Sequence, residues 1–211
     1  MLSSIVKFCE PKFLVTNYIY EFFNTISNIP YILIGYYNYD KNPRLKYSYL
    51  SLLGVGFGST LLHGTGTYIG QILDEFFMLA FVVNTLSLYP CINKFYLSCY
   101  NFFLGGLYIY FKIYSIFLIL FTSQVIVLIM ISYFSAPKNS QEYHMVVFGV
   151  SMFITGKLLW DLEQNFCDKF PIFKWFHPVW HLLSAFSSYF ILESNEILHK
   201  RINHYTKKDE R

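Results

Sequence analysis

The chain has 211 residues, 55% hydrophobic and 21% aromatic but only 14% charged, with a formal net charge of +3 and a mean hydropathy of +0.38. Soluble domains average about 25% charged residues, so this is the composition of a membrane protein. The basic residues form no stripe interleaved with aromatics, which argues against a nucleic-acid surface.

Residues 1–8 are too short and too weakly apolar for a cleavable signal peptide, so the first spanning segment is expected to act as the targeting signal. Crossing about 30 Å of hydrocarbon takes about 20 apolar residues. Seven stretches qualify, approximately 19–39, 47–66, 71–89, 95–111, 114–134, 143–162 and 175–192. They predict an all-α membrane protein, a seven-transmembrane-helix bundle forming one domain over 1–194, followed by a cytosolic basic tail at 195–211. A helix lying on the anionic leaflet is the alternative for that tail. Only Lys112 and its neighbours separate the fourth and fifth spans, and a single kinked span there would leave six crossings.

With seven spans, five loop lysines fall on the side of the N-terminus and ten basic residues on the other, with Lys157 inside a span. Positive-inside then puts the C-terminus in the cytosol and the N-terminus outside or in an organelle lumen. His63 near the end of span two, Asp74 near the start of span three, and His177 and His181 near the start of span seven all fall at the non-cytosolic face.

Ionisable groups inside apolar spans are expensive and ask for a function. His177 and His181 are four apart, so both imidazoles share one helix face, and Pro178 suits that helix's first turn. His63 supplies a third nitrogen and leaves a fourth position for water, the pattern of catalytic zinc. Ser59 lies one turn from His63 on the same face, placed to stabilise an oxyanion; packing is its alternative, since Gly54, Gly56, Gly58 and Ser59 form a close-contact surface. Asp74 is the candidate proton carrier, and only one of Asp74 and Glu75 is expected to face the interior. Lys157 and Asp161, four apart, are expected to neutralise each other. Glu21, Asn24, Ser27 and Asn28 form a polar stripe suited to a cation, a lipid headgroup or a neighbouring helix. Cys9 and Cys167 share the non-cytosolic side, where a disulfide is chemically available; the sequence leaves their separation open.

Cys9-Glu-Pro, Glu21-Phe-Phe-Asn-Thr-Ile-Ser-Asn28, Gly58-Ser-Thr-Leu-Leu-His63, Leu73-Asp-Glu75, Trp160-Asp161, Phe166-Cys-Asp168 and His177-Pro-Val-Trp-His181 together resemble the alkaline ceramidase family of the CREST superfamily, in its order and with similar spacing. The resemblance implies a seven-helix zinc-dependent membrane hydrolase of the endoplasmic reticulum or Golgi that cleaves the amide of ceramide into sphingoid base and fatty acid. It implies that His63, His177 and His181 hold Zn2+, that Ser59 and Asp74 attend the water there, and that Cys9 and Cys167 are disulfide-linked. A related zinc-bearing lipid hydrolase and an adiponectin-receptor-like receptor are the rival readings.

The resemblance also carries a calcium site, from which this chain departs. Where the family resembles Asp-Trp-Cys-Glu-Pro-Asn, the chain reads Lys7-Phe-Cys-Glu-Pro-Lys12, leaving Glu10 and Glu21 as the remaining carboxylates. Calcium takes six to eight oxygens, so Ca2+ is not expected, and a lysine ammonium is expected to neutralise Glu10 and Glu21 instead. The oligomeric state is not set by the sequence.

Overall fold

Pro30 divides the stretch expected as one span at 19–39. Lacking an N–H, Pro30 cannot bond back to Ile26, and the chain forms α1 (Phe22–Ile26) and α2 (Ile29–Asn38) with Ser27 and Asn28 between them. The ten residues of α2 rise only about 15 Å, half the hydrocarbon thickness, so the expected single long helix is replaced by a broken one. The computed structural model describes residues 2–209, and among them the remaining elements are α3 (Lys46–Thr65), α4 (Tyr68–Leu86), α5 (Lys94–Phe111), α6 (Tyr114–Ser135), α7 (Gln141–Phe166), a 3-10 turn (Pro171–Trp175) and α8 (Phe176–Asp209). The fold is all-helical, and α4, α6 and α7 are each long and apolar enough to cross a membrane.

The stretches at 95–111 and 114–134 are separate helices. Lys112 takes a left-handed conformation, φ 57°, and Ile113 is extended, so the chain reverses within two residues. Asn101 and Gln124, nearly equidistant from that turn, exchange two side-chain hydrogen bonds of 3.0 Å, which pins α5 against α6 as a hairpin.

The core joins α3 to its neighbours through Tyr49, Leu52 and Val55, packed with Val82 and Leu86 of α4, Leu128 of α6 and Leu192 of α8. Two glycines let α3 and α4 meet backbone to backbone. A Cβ on Gly58 would lie 2.7 Å from the backbone nitrogen of Asp74, and one on Gly70 would lie 2.6 Å from the Leu62 Cα, so α3 and α4 touch backbone to backbone at one end. That end carries the site.

At the opposite end, α8 continues without a break through residue 194. Arg201 grips the buried Glu142 of α7 with contacts of 2.7 and 2.9 Å, a forked charge pair between the two helices.

Candidate active site

Five helix ends, the starts of α1, α4 and α8 and the ends of α3 and α7, meet a non-helical N-terminal segment. Gly66 ends α3 at φ 65°, where a Cβ would lie 2.7 Å from the Tyr20 ring, and the Thr67 hydroxyl caps α4. The N-terminal segment crosses this turn: Ser3 bridges to Thr67, Tyr68 N donates to Leu2 O at 2.9 Å, and Gln71 Oε1 accepts from Ile5 N at 2.7 Å. The segment then lays Phe8 on the site, its ring 4.5 Å from His63 and 4.4 Å from His177. A disulfide between Cys9 and Cys167 ties it to the residue following α7.

His63 from α3 and His177 and His181 from α8 converge beneath Phe8. All three are buried, with ring centroids 4.5 to 5.0 Å apart, and each offers a nitrogen within 4.8 Å of the other two. For His63 and His181 a hydrogen-bond partner fixes which nitrogen that is. Glu21 is paired with the Lys12 ammonium and accepts only, so His63 Nδ1 donates to Glu21 Oε2 at 2.6 Å. The Ser27 hydroxyl spends its one proton on Asn24 O, so its oxygen accepts from His181 Nδ1 at 2.7 Å. His177 Nδ1 faces Glu163 Oε2 at 3.4 Å, while Glu163 Oε1 accepts from Cys9 N at 2.8 Å. Every imidazole thus has its Nδ1 turned to an oxygen and its Nε2 left as the available base. His63 Nε2 is buried with no protein partner.

Asp74 and Ser59 sit beside this triad. Gly58 lets α4 press onto α3 at Leu73 and Asp74, and the Asp74 and Ser59 side chains line one cavity with His177 and His181. Asp74 Oδ1 is buried without a partner. Glu75, expected to turn away from its neighbour, lines the same cavity and is buried. On the inner side, Tyr31, Val55, Met78 and Trp180 are shared with a second cavity whose remaining wall is almost entirely apolar, including Phe121, Val125 and Ile191.

Glu10 and Glu21 are both buried but have separate partners. Glu10 accepts from Phe23 N and Asn24 N, each at 2.8 Å, capping the start of α1; burial pushes its carboxyl up and those two N–H groups oppose the shift. Glu21 bridges Lys12 and His63. Lys12 therefore pairs with one of the two carboxylates, where a share in both was expected. Lys157 and Asp161 pair with each other on the outer face of α7.

Glu163 escapes the sequence reading: it lies one residue beyond the span at 143–162, and a carboxylate one turn before Cys167 is its only local signal. Ser27 and Glu21 belong to the polar stripe, and the break between α1 and α2 sets them beside the histidines.

A statistical description of the family named Ceramidase matches residues 1–211, the whole chain. The chain is 26% identical to "Alkaline ceramidase" of Arabidopsis thaliana, over 89% of this chain and 81% of that protein. It is 25% identical to "Alkaline ceramidase 3" of Mus musculus, over 89% and 80%, and 28% identical to "Alkaline ceramidase YPC1" of Saccharomyces cerevisiae, over 93% and 77%. With a match that leaves no part of the sequence outside it, the chain belongs to the Ceramidase family.

Proposed function

We propose that the protein is a zinc-dependent membrane amidase that hydrolyses ceramide to a sphingoid base and a fatty acid. The observation that carries this reading is the triad of buried imidazoles, with the Nδ1 atoms of His63 and His181 hydrogen-bonded to Glu21 and Ser27 and that of His177 facing Glu163 at 3.4 Å. Three convergent Nε2 donors on rigid helices fit a zinc ion, and carboxylates behind metal-binding histidines are the usual means of fixing tautomer and orientation. Bound there, zinc would polarise the amide carbonyl and make water a usable nucleophile near neutral pH.

The chain's own groups supply the rest. Asp74 accepts the proton of the attacking water and returns it to the departing nitrogen, so the amine leaves neutral. The Ser59 hydroxyl donates to the oxygen on which negative charge builds. Phe8, Trp160 and Tyr31 wall the imidazoles and keep bulk water out. The adjoining apolar cavity, lined by α2, α3, α4, α6, α7 and α8, suits a hydrocarbon chain entering from the bilayer.

Seven crossings, counting α1 and α2 together as one broken span, best explain the exposed large apolar side chains such as Phe102, Tyr110 and Phe134. The basic-residue bias orients the site to the lumen of the endoplasmic reticulum or Golgi, with the C-terminus cytosolic. Residues 1–194 make up the hydrolase domain, and 195–211 the basic tail. Lys12 supplies the positive charge beside Glu21, so no calcium is required.

The test is release of sphingoid base from a panel of ceramides by the detergent-purified protein. Catalytic release supports the amidase; one bound zinc per chain with no turnover of any ceramide would defeat it.

A further inference from the structure

Asp74 and the histidines leave one buried carboxylate of the cavity without a task. Glu75 is 5% exposed, and it lines the same cavity as Asp74, His177 and His181. One of its oxygens is held: Gln71 Nε2 donates to Glu75 Oε1 at 2.9 Å. Gln71 is itself saturated, donating also to the Tyr108 hydroxyl at 3.0 Å while its Oε1 accepts from Ile5 N at 2.7 Å. The Tyr108 hydroxyl also lies against the Glu75 carboxyl, and together these contacts lock the side chain, leaving Oε2 with no hydrogen-bond donor of its own among the described residues. A buried carboxylate oxygen without a donor is costly, and here it stands on the wall of a substrate cavity, where an incoming donor can relieve it.

The proposed substrate supplies such a donor. An N-acyl sphingoid base carries hydroxyl groups on the carbons flanking the one that bears the amide nitrogen. Those hydroxyl oxygens lie three bonds from the amide nitrogen, and Glu75 lines the same cavity as Asp74. We infer that Glu75 Oε2 accepts a hydrogen bond from a base hydroxyl, so that Gln71, Glu75 and Tyr108 form the subsite that reads the amino-alcohol head of the substrate. This rests on the amidase reading above. Glu75 binds and selects, whereas Asp74 moves protons.

The experiment pairs enzyme variants with substrates lacking one hydroxyl. Rates kcat/KM are measured for a ceramide and for its 1-deoxy and 3-deoxy analogues, with wild type, Glu75→Ala and Glu75→Gln, and zinc content is measured for each. A hydrogen bond to a charged acceptor is worth about ten- to a hundredfold, so wild type should prefer the parent by that factor over one of the analogues. In Glu75→Ala that ratio should collapse toward unity with zinc content unchanged. In Glu75→Gln, where a neutral amide accepts more weakly, it should fall by about threefold or more. Should Glu75→Ala not fold, the isosteric Gln variant carries the test alone. Ratios equal in wild type and variants for both analogues would overturn the subsite while leaving the amidase intact. Absence of turnover by wild type on every substrate would remove both.

Discussion

Glu21 Oε2 stands 2.6 Å from His63 Nδ1, and the other oxygen of the same carboxylate is held by the Lys12 ammonium. One buried residue at the start of α1 therefore connects the N-terminal segment to the triad. The arrangement fixes His63 in the tautomer that leaves Nε2 free. Replacing Glu21 by Gln keeps the shape but removes the charge, and second partners of this kind are worth about 10- to 100-fold in metal affinity. Zinc titration of Glu21→Gln against a competing chelator should show a loss of that size; unchanged affinity would mean that Glu21 serves only to pack the N-terminal segment.

Asp74 is the proton carrier of the account. Asp74→Asn should lower kcat by about 10²- to 10⁴-fold, the usual worth of general acid–base catalysis, while zinc content stays at the wild-type level. A parallel loss of zinc would place Asp74 among the groups that build the metal site.

The Lys12 ammonium supplies the positive charge beside Glu21. Activity should be indifferent to calcium-selective chelation, measured in detergent with zinc maintained. Activity abolished by calcium chelation and regained with calcium would contradict this.

The disulfide closes a loop between residues 158 apart and holds Phe8 over the histidines. Cys9→Ser should cost about 2–5 kcal/mol of stability, visible as a lower midpoint of thermal unfolding, and reductant should reproduce the loss in wild type but not in the variant.

Gly58 sets the distance between Ser59 and Asp74. A Cβ there meets the Asp74 backbone, which has no flexible side chain to move aside, so Gly58→Ala must push α4 away from α3. The expected destabilisation is about 1–3 kcal/mol. Turnover should fall with zinc content retained, because the histidines stand on α3 and α8.

The histidines were legible in the sequence because an i, i+4 pair and a third imidazole in apolar spans have few other uses, and because span counting placed all three at one end. Spacing alone misled elsewhere. Lys157 and Asp161 satisfy the same i, i+4 rule but pair on the outer face of α7, while the buried Glu163 two residues on faces His177. A hydropathy window averages over Pro30 and so hides the break between α1 and α2, although the missing N–H that causes it is written in the sequence. The pairing of Glu21 with His63 depends on that break and on a contact 42 residues away, which no local pattern encodes.

The most direct test of the central claim is base release from ceramide by the purified protein before zinc removal, after it, and on zinc return, run beside His63→Ala. Activity that disappears with the metal, returns with it, and is absent from His63→Ala at every stage is the predicted result. Turnover that survives in metal-free wild type or in His63→Ala would contradict the zinc amidase.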